Sequence, residues 1–338
     1  MKAVGYRQSL PVTAPDFLAD FTADKPEPRG RDLRVAVKAV SMNPVDTKVR
    51  MRAAPKAGEP PKVLGYDAAG VVDAVGPGVT LFRPGDEVFY AGSIARSGTN
   101  AELHLVDERI AGAKPKSLSF AQAAALPLTS ITAWELLFDR FAVTPGKTPD
   151  GRALLVIGGA GGVGSIMIQI ARRLTALTVI ATASRPETRA WCEKLGAHHV
   201  IDHSKPLADQ LRAIGHAEVA LIASLTGTDQ HYPEVPAIIA PQGKFGLIDD
   251  PKSLDASLLK RKAASLHWES MFTRAIFETP DMIAQHRLLN EISAMVDDGL
   301  IVTTMAKELA PINAANLMEA HRLSEGGRSI GKVVLAGW

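Results

Sequence analysis

Residues 153 to 174 read Ala153-Leu-Leu-Val-Ile157-Gly-Gly-Ala-Gly-Gly-Val-Gly164-Ser-Ile-Met-Ile-Gln-Ile-Ala-Arg-Arg-Leu174. Five apolar residues come first, then a glycine cluster, then a helical pattern whose buried face would be Val163, Met167, Ile170 and Leu174. Gly159-x-Gly161-x-x-Gly164 alone is a weak signal, but here it directly follows a strand and opens a helix, which is the context of a dinucleotide-binding turn. Glycine serves three needs there: a tight turn, close approach of the backbone to a pyrophosphate, and close helix–strand packing. The helix start adds free N–H groups and partial positive charge. Ala153 to Ala171 is 19 residues without a charge, but its glycines make it a poor membrane span, and a strand, turn and helix fit better.

Outward from this stretch, apolar strands alternate with helical segments. The strands are Ala153–Ile157, Thr178–Thr182, Val200–Ile201, Val219–Ala223 and Lys244–Ile248, with a sixth near Ala264–Trp268. Helices Val163–Leu174 and Pro186–Leu195 lie between them. The alternation predicts βαβ units and a parallel sheet. The first 125 residues differ: Leu33 to Val40 alternates with Arg34 and Lys38 on its polar face, and turn signals recur at Asn43-Pro44, Pro60-Pro61, Gly76-Pro77-Gly78 and Pro84-Gly85-Asp86. Many short strands predict a small barrel or sandwich. Phe120 to Leu137 has helical spacing, and the tail shows helices near Asp281–Asp297 and Ile312–Glu325, then an apolar strand, Lys332–Ala336.

Composition bounds the rest. At 338 residues the chain suggests two domains. Thirty-eight Lys plus Arg against 36 Asp plus Glu leave +2, which gives no electrostatic case for a nucleic-acid binder or a polybasic membrane anchor. The single Cys192 precludes an intrachain disulfide and a cysteine-rich zinc site. The N-terminus lacks a secretory apolar run, so a soluble, cytoplasmic chain is expected.

The second strand of the βαβ series speaks to the dinucleotide. An NAD site usually carries Asp or Glu about 20 residues on. Here Thr182 is followed by Ala183-Ser184-Arg185-Pro186, with no carboxylate. Ser184 can donate a hydrogen bond and Arg185 can pair with a 2′-phosphate, so NADPH is the expected cofactor. Ser184 can equally cap the next helix, with Pro186 at its first position.

Gly65-Tyr-Asp-Ala-Ala-Gly70-x5-Gly76-x-x-Val79 resembles, with substitutions, the signature of medium-chain alcohol dehydrogenases. Asn43-Pro-Val-Asp-Thr-Lys48, Ala123 through Trp134 and the closing Gly331-Lys-Val-Val-Leu335 resemble the quinone oxidoreductase branch of the same superfamily. The resemblance spans the whole chain. It implies an α/β protein: a Rossmann doubly wound parallel sheet over 128–272 and a GroES-like β-barrel catalytic domain from 1–127 and 273–338. It also implies a homodimer, and a cleft where the nicotinamide meets the substrate. It places cofactor contacts at Thr129, Gly162, Val163, His203, Leu225 and Phe245, beside Gly159, Gly161, Gly164, Ser184 and Arg185.

The departures from that pattern carry the chemistry. Zinc-dependent members use a Cys in the first loop, the His of Gly-His-Glu and a later Cys or acidic residue. Here Tyr66 stands at the His, Asp67 at the Glu, and the first loop offers Asn43 and Asp46. Two aspartates are a poor zinc set, so no metal is expected. Without a Lewis acid, reduction of a quinone or an α,β-unsaturated carbonyl is favoured over alcohol–aldehyde interconversion, because hydrogen-bond donors can stabilise the oxygen charge. Asn43, Lys48 and Tyr66 are the candidate catalytic donors; Tyr66, Lys48 or water would deliver the proton. The alternatives are a zinc-type alcohol dehydrogenase acting on a small alcohol and a non-catalytic NADPH-binding protein. Trp268, Met271 and Phe272 would line a substrate pocket or a core. His198-His199 reads as surface or capping, Cys192 as helical packing, and Asp249-Asp250 and Asp297-Asp298 as turn chemistry.

Overall fold

The computed structural model describes residues 1–149 and 151–338, and they form two compact units. One comprises Met1–Ile131 and Phe272–Trp338, the other Thr132–Met271. The boundaries expected from sequence, after residues 127 and 272, therefore move. A hydrogen bond beyond residue 127 accompanies the first shift: the Leu128 N–H donates to Asp67 of the first unit.

The first unit begins with eight strands: β1 (Lys2–Tyr6), β2 (Ala19–Thr22), β3 (Asp32–Ser41), β4 (Lys62–Val63), β5 (Ala68–Val75), β6 (Glu87–Tyr90), β7 (Leu103–Asp107) and β8 (Ala111–Ala113). β1 is flanked by β2 and β4 in a small antiparallel sheet. β3 is the hub of the larger one, antiparallel to β5 and β7. Its alternation buries Leu33, Val35, Val37 and Ala39 as expected, while Lys38 is exposed. Arg34 is the exception. It is buried because its guanidinium donates to Asp73 at 2.6 Å and to the Pro26 carbonyl at 3.2 Å, so the charge is satisfied away from water. Two register shifts along β3 mark bulges, which bend a strand.

The helical run expected over Phe120–Leu137 is interrupted. It splits into Phe120–Ala124, Pro127–Trp134 and a wider π-type segment, Glu135–Arg140. Pro127 has no N–H to continue a helix but suits the first position of a new one.

The second unit holds β9 (Ala153–Ile157), β10 (Thr178–Thr182), β11 (His199–Ile201), β12 (Val219–Ser224), β13 (Ile239–Leu247) and β14 (Ser265–Trp268). All pairings are parallel, in the order β11-β10-β9-β12-β13-β14. Numbered within the unit this is 3-2-1-4-5-6, the doubly wound dinucleotide-binding order. Its central strands β9, β10 and β12 are buried on both faces, so they are continuous apolar runs. Leu155, Ile180, Ile222, Phe245 and Leu247 are all fully buried, each contributing about 1.5–3 kcal/mol of transfer free energy.

The chain then returns to the first unit. β15 (Met305–Leu309) lies parallel to β16 (Lys332–Ala336), and β16 joins β3 antiparallel, placing the C-terminal strand beside the N-terminal hub. Among the described residues no helix is long and apolar enough to cross a membrane.

Candidate functional site

In the second unit the glycine turn sits at the carboxyl end of β9, where strand order reverses between β9 and β12. That reversal is the point at which open parallel sheets bind ligands. Gly158 carries φ +87°, a conformation costly for residues with a Cβ, and its N–H donates to Thr182 Oγ1 at 3.0 Å. The three fingerprint glycines do different work. A Cβ on Gly164 would lie 2.4 Å from the Gly158 carbonyl oxygen, and one on Gly159 would lie 2.8 Å from Ala181 Cβ and 3.1 Å from Cys192 Sγ. Packing alone demands those two glycines. A Cβ on Gly161 would meet nothing nearer than 3.4 Å, an ordinary contact. Gly161 is the N-cap of the helix Gly162–Leu174, beside its unsatisfied first N–H groups. A bare backbone that the protein itself does not require, at a helix N-terminus, suits a pyrophosphate. The turn is braced from behind: Trp191 Nε1 donates to Ser165 Oγ at 2.8 Å, and that hydroxyl donates to the Gly161 carbonyl at 2.7 Å.

Around this turn the expected cofactor residues are placed as follows. Gly162 and Val163 form the half-exposed first turn of the helix, which from Gly164 to Ala171 is buried on all sides rather than along one stripe. Leu225 follows β12, and its neighbour Thr226 abuts Gly158. His203 follows β11, half-buried, edge-on to His231 with ring centroids 6.1 Å apart. Ser184 is exposed and does not cap; Arg185 is the N-cap, its N–H donating to Thr188 Oγ1 at 3.1 Å. The Arg185 guanidinium lies 2.7 Å from Glu187, so an incoming phosphate competes with a carboxylate. Phe245 departs from expectation. It lies inside β13, within the expected run Lys244–Ile248, but is wholly buried against Tyr232 as a core residue.

The first unit holds a buried polar cluster. Asn43 ends the segment after β3 and caps the helix Pro44–Arg52. Three residues on, Asp46 reaches back: its Oδ2 accepts the Asn43 N–H at 2.9 Å, half of a capping box. Its Oδ1 accepts the Gly65 N–H, also at 2.9 Å. Gly65 has φ +106°, and a Cβ there would strike Thr99 Oγ1 at 2.4 Å, so glycine is needed to aim Tyr66 and Asp67 inward. Asp67 Oδ1 accepts the Leu128 N–H at 2.7 Å; Oδ2 accepts from Asn43 Nδ2 at 2.7 Å and from Lys332 Nζ at 3.1 Å. Lys332, on β16, spends its other two protons on the Met42 carbonyl at 2.7 Å and on Asn43 Oδ1. Asn43, Asp46, Tyr66, Asp67 and Lys332 are all at most 3% exposed.

Burial dominates the electrostatics. It pushes the Asp46 carboxyl up to about 7, against the pull of the two backbone N–H groups and Lys332. It raises Asp67 and lowers Lys332, the two opposing this by their mutual attraction. It drives the Tyr66 phenol far above its ordinary range, helped by nearby Asp46, so Tyr66 is a neutral O–H donor at any working pH. The Tyr66 ring packs edge-on to Phe272 at 5.6 Å, and its hydroxyl, though buried, has no hydrogen-bond partner.

The three expected catalytic residues thus separate. Tyr66 keeps a donor in hand. Asn43 does not: both Nδ2 protons are taken, by Asp67 and by the Ser41 carbonyl at 3.2 Å, so it is a linker within the cluster. Lys48 is half-buried, and two positions along a helix from Asp46 it faces away from that carboxylate. Thr129, buried, donates to the Leu126 carbonyl at 3.1 Å. Met271 and Phe272 are buried, while Trp268 is 55% exposed. Sequence reading passed over Lys332 as part of a motif. The signal was one lysine in an otherwise apolar strand, but its partner Asn43 lies 289 residues away.

Comparison with known families matches residues 29–131 to the alcohol dehydrogenase GroES-like domain and residues 195–335 to the zinc-binding dehydrogenase family. A zinc-type alcohol dehydrogenase-like protein of Staphylococcus aureus (strain COL) is 41% identical over 337 residues, covering 99% of each chain. The NADPH-dependent alkenal/one oxidoreductase of Arabidopsis thaliana chloroplasts is 37% identical over 195 residues, 55% of this chain and 48% of that protein. A crystal structure from Rhizobium etli CFN 42, assigned as a zinc-dependent alcohol dehydrogenase, superposes with TM-score 0.96 at 60% identity, covering 100% of this chain and 98% of the other. A Pseudomonas syringae quinone oxidoreductase gives TM-score 0.81 at 26% identity, covering 99% of each.

The zinc implied by the family description does not suit these residues. Both carboxylates of the cluster are spent on N–H donors, an ammonium is buried against one of them, and the phenol at Tyr66 stays protonated. Among the described residues no group of three His, Cys, Asp or Glu is placed to hold a metal ion. By its unbroken similarity to the staphylococcal protein, its doubly wound sheet and its GroES-like segment, the chain belongs to the medium-chain dehydrogenase/reductase superfamily, among the zinc-type alcohol dehydrogenase-like oxidoreductases.

Proposed function

We propose that this protein is an NADPH-dependent reductase of quinones or α,β-unsaturated carbonyl compounds that works without zinc. The observation that carries the reading is the buried Tyr66 hydroxyl, which is held protonated and has no protein partner. A buried polar group left unpaired costs about 1–3 kcal/mol, and one that persists beside a polar cluster marks a place for a ligand atom.

Reduction of an enone adds a hydride at the β-carbon and a proton at the α-carbon, and between the two events the oxygen carries enolate charge. In a quinone the same charge is phenolate. A neutral phenol donor aimed at that oxygen stabilises it, and in a dry site such a donor is worth about 10²–10³ in kcat. NADPH supplies the hydride when bound. Gly161 and the N–H groups opening the helix Gly162–Leu174 suit its pyrophosphate, and Arg185 suits a 2′-phosphate. Alcohol oxidation would call for a base or Lewis acid at Tyr66, and Asp46 and Asp67 are committed to backbone and lysine. The homodimer expected from the resemblance has support in β14, an edge of the parallel sheet with exposed Trp268, and light scattering reads it.

The test is NADPH oxidation against quinones, enones and aldehydes. Turnover of the first two classes and little of the third is expected. Turnover confined to aldehydes would favour an alcohol dehydrogenase, and NADPH binding without any turnover would favour a non-catalytic protein.

A further inference from the structure

The polar cluster raises a question that neither the fold nor the reaction answers: why a lysine is buried in an apolar strand. Lys332 is 3% exposed and Asp67 is 0% exposed. Burying either charge alone would be prohibitive, and a buried pair survives only when its remaining hydrogen bonds are met. They are met in full here. The ammonium has three protons and three acceptors: the Met42 carbonyl, Asn43 Oδ1 and Asp67 Oδ2. Asp67 in turn holds three donors, one of them the Leu128 N–H. This cation lies against the residue after Tyr66, the position where the family resemblance places a zinc ligand.

We propose that Lys332 is a positioning residue of the reaction: a tethered cation that holds Asp67 as a carboxylate and, through Asp67 and Asn43, fixes Tyr66 and the start of the helix Pro127–Trp134. Asp67 is bonded to Tyr66 through the chain, and Asp46 pins Gly65 on its other side, so the Tyr66 backbone is clamped from both neighbours. Lys332 itself has no proton left for a substrate. The positioning role rests on the reductase reading; the charge pairing does not.

The experiment is a double-mutant cycle on the full-length chain: wild type, Lys332→Met, Asp67→Asn and the double variant. The readouts are melting temperature, NADPH dissociation constant by fluorescence titration, and kcat and KM on the enone or quinone turned over fastest. Each single variant leaves a buried group unpaired, so a fall in Tm of roughly 6–20 °C is expected, and the double variant should recover at least about half of it. Lys332→Met should lose about tenfold or more in kcat while its NADPH constant stays within about twofold, and the double variant should return to within about threefold of wild-type kcat. The proposal is overturned if Lys332→Met keeps its Tm and kcat, if the double variant is no more stable than the worse single one, or if kcat stays low once Tm has recovered. If Lys332→Met gives no folded protein, a folded double variant supports the pairing and an unfolded one overturns it. Should the wild type reduce nothing, the reductase reading and the positioning role both fall, and the Tm cycle still decides the charge pairing.

Discussion

Replacing Tyr66 with Phe should make the protein more stable and less active. The substitution deletes one oxygen from a side chain that is 1% exposed and leaves the ring against Phe272 in place. In the free protein that oxygen has no partner, and leaving a buried hydroxyl unmade costs about 1–3 kcal/mol. Its removal should therefore stabilise by about 1–2 kcal/mol. The first unit has about 200 residues, and at that size each kcal/mol moves Tm by about 2–4 °C, so a rise of roughly 2–8 °C is expected. Against substrate the same oxygen donates to developing enolate charge, and losing one such donor lowers kcat by about 10²–10³, or roughly 2.7–4 kcal/mol of transition-state stabilisation. Differential scanning calorimetry without ligand and steady-state NADPH oxidation measure the two arms. A variant with kcat within about threefold of wild type, or with a lower Tm, would refute the reasoning, because either result means the hydroxyl is satisfied within the protein or idle in the reaction.

Three further outcomes can be checked independently. Gly161→Ala should fold normally, since its Cβ meets nothing closer than 3.4 Å, yet lose NADPH affinity; Gly164→Ala, whose Cβ would sit 2.4 Å from a carbonyl oxygen, should lose several kcal/mol of stability (about 1–3 or more from strain), as urea unfolding and fluorescence titration would show. Glu187→Gln removes a carboxylate that competes for the Arg185 guanidinium and should raise the NADPH-to-NADH preference, while Arg185→Asp should reverse it; unchanged kcat/KM ratios in both would exclude this arginine from phosphate recognition. Burial, and then the charge of Arg50, pushes His321 down to about 3, so it is neutral in the folded chain, while its unfolded counterpart takes a proton near pH 6.5. Stability from this group is therefore present above pH 6.5 and is lost as pH falls toward 3, about 2 kcal/mol by pH 5; His321→Leu, which also removes two unpartnered ring nitrogens, should flatten that acid limb in urea titrations at pH 5 and 7, and an unaltered slope would count against the assignment.

Much of the second unit was legible because its signals are local. β9 and β10 were placed to the residue, since a strand buried on both faces is a continuous apolar run and its ends are marked by glycine or serine. β13 begins five residues earlier than its apolar run predicts, because Ile239-Ala-Pro-Gln-Gly243 carries turn residues and only pairing with β12 makes it a strand. The first unit was harder. Arg34 looked like an outward charge until Asp73, 39 residues away, was seen to accept from it.

By itself the sequence determined the doubly wound sheet, the glycine turn and the presence of Tyr66 and two aspartates where zinc ligands would be, because each is a matter of residue type and short-range spacing. Only the tertiary structure decided which of those side chains are still free to act. Asn43 spends its donors on Asp67, Asp67 is compensated by a lysine 265 residues further on, and Tyr66 alone is left with a proton and no acceptor. Hydrogen-bond satisfaction in a buried cluster is a property of where distant segments meet, and β16 returning beside β3 is what brings them together.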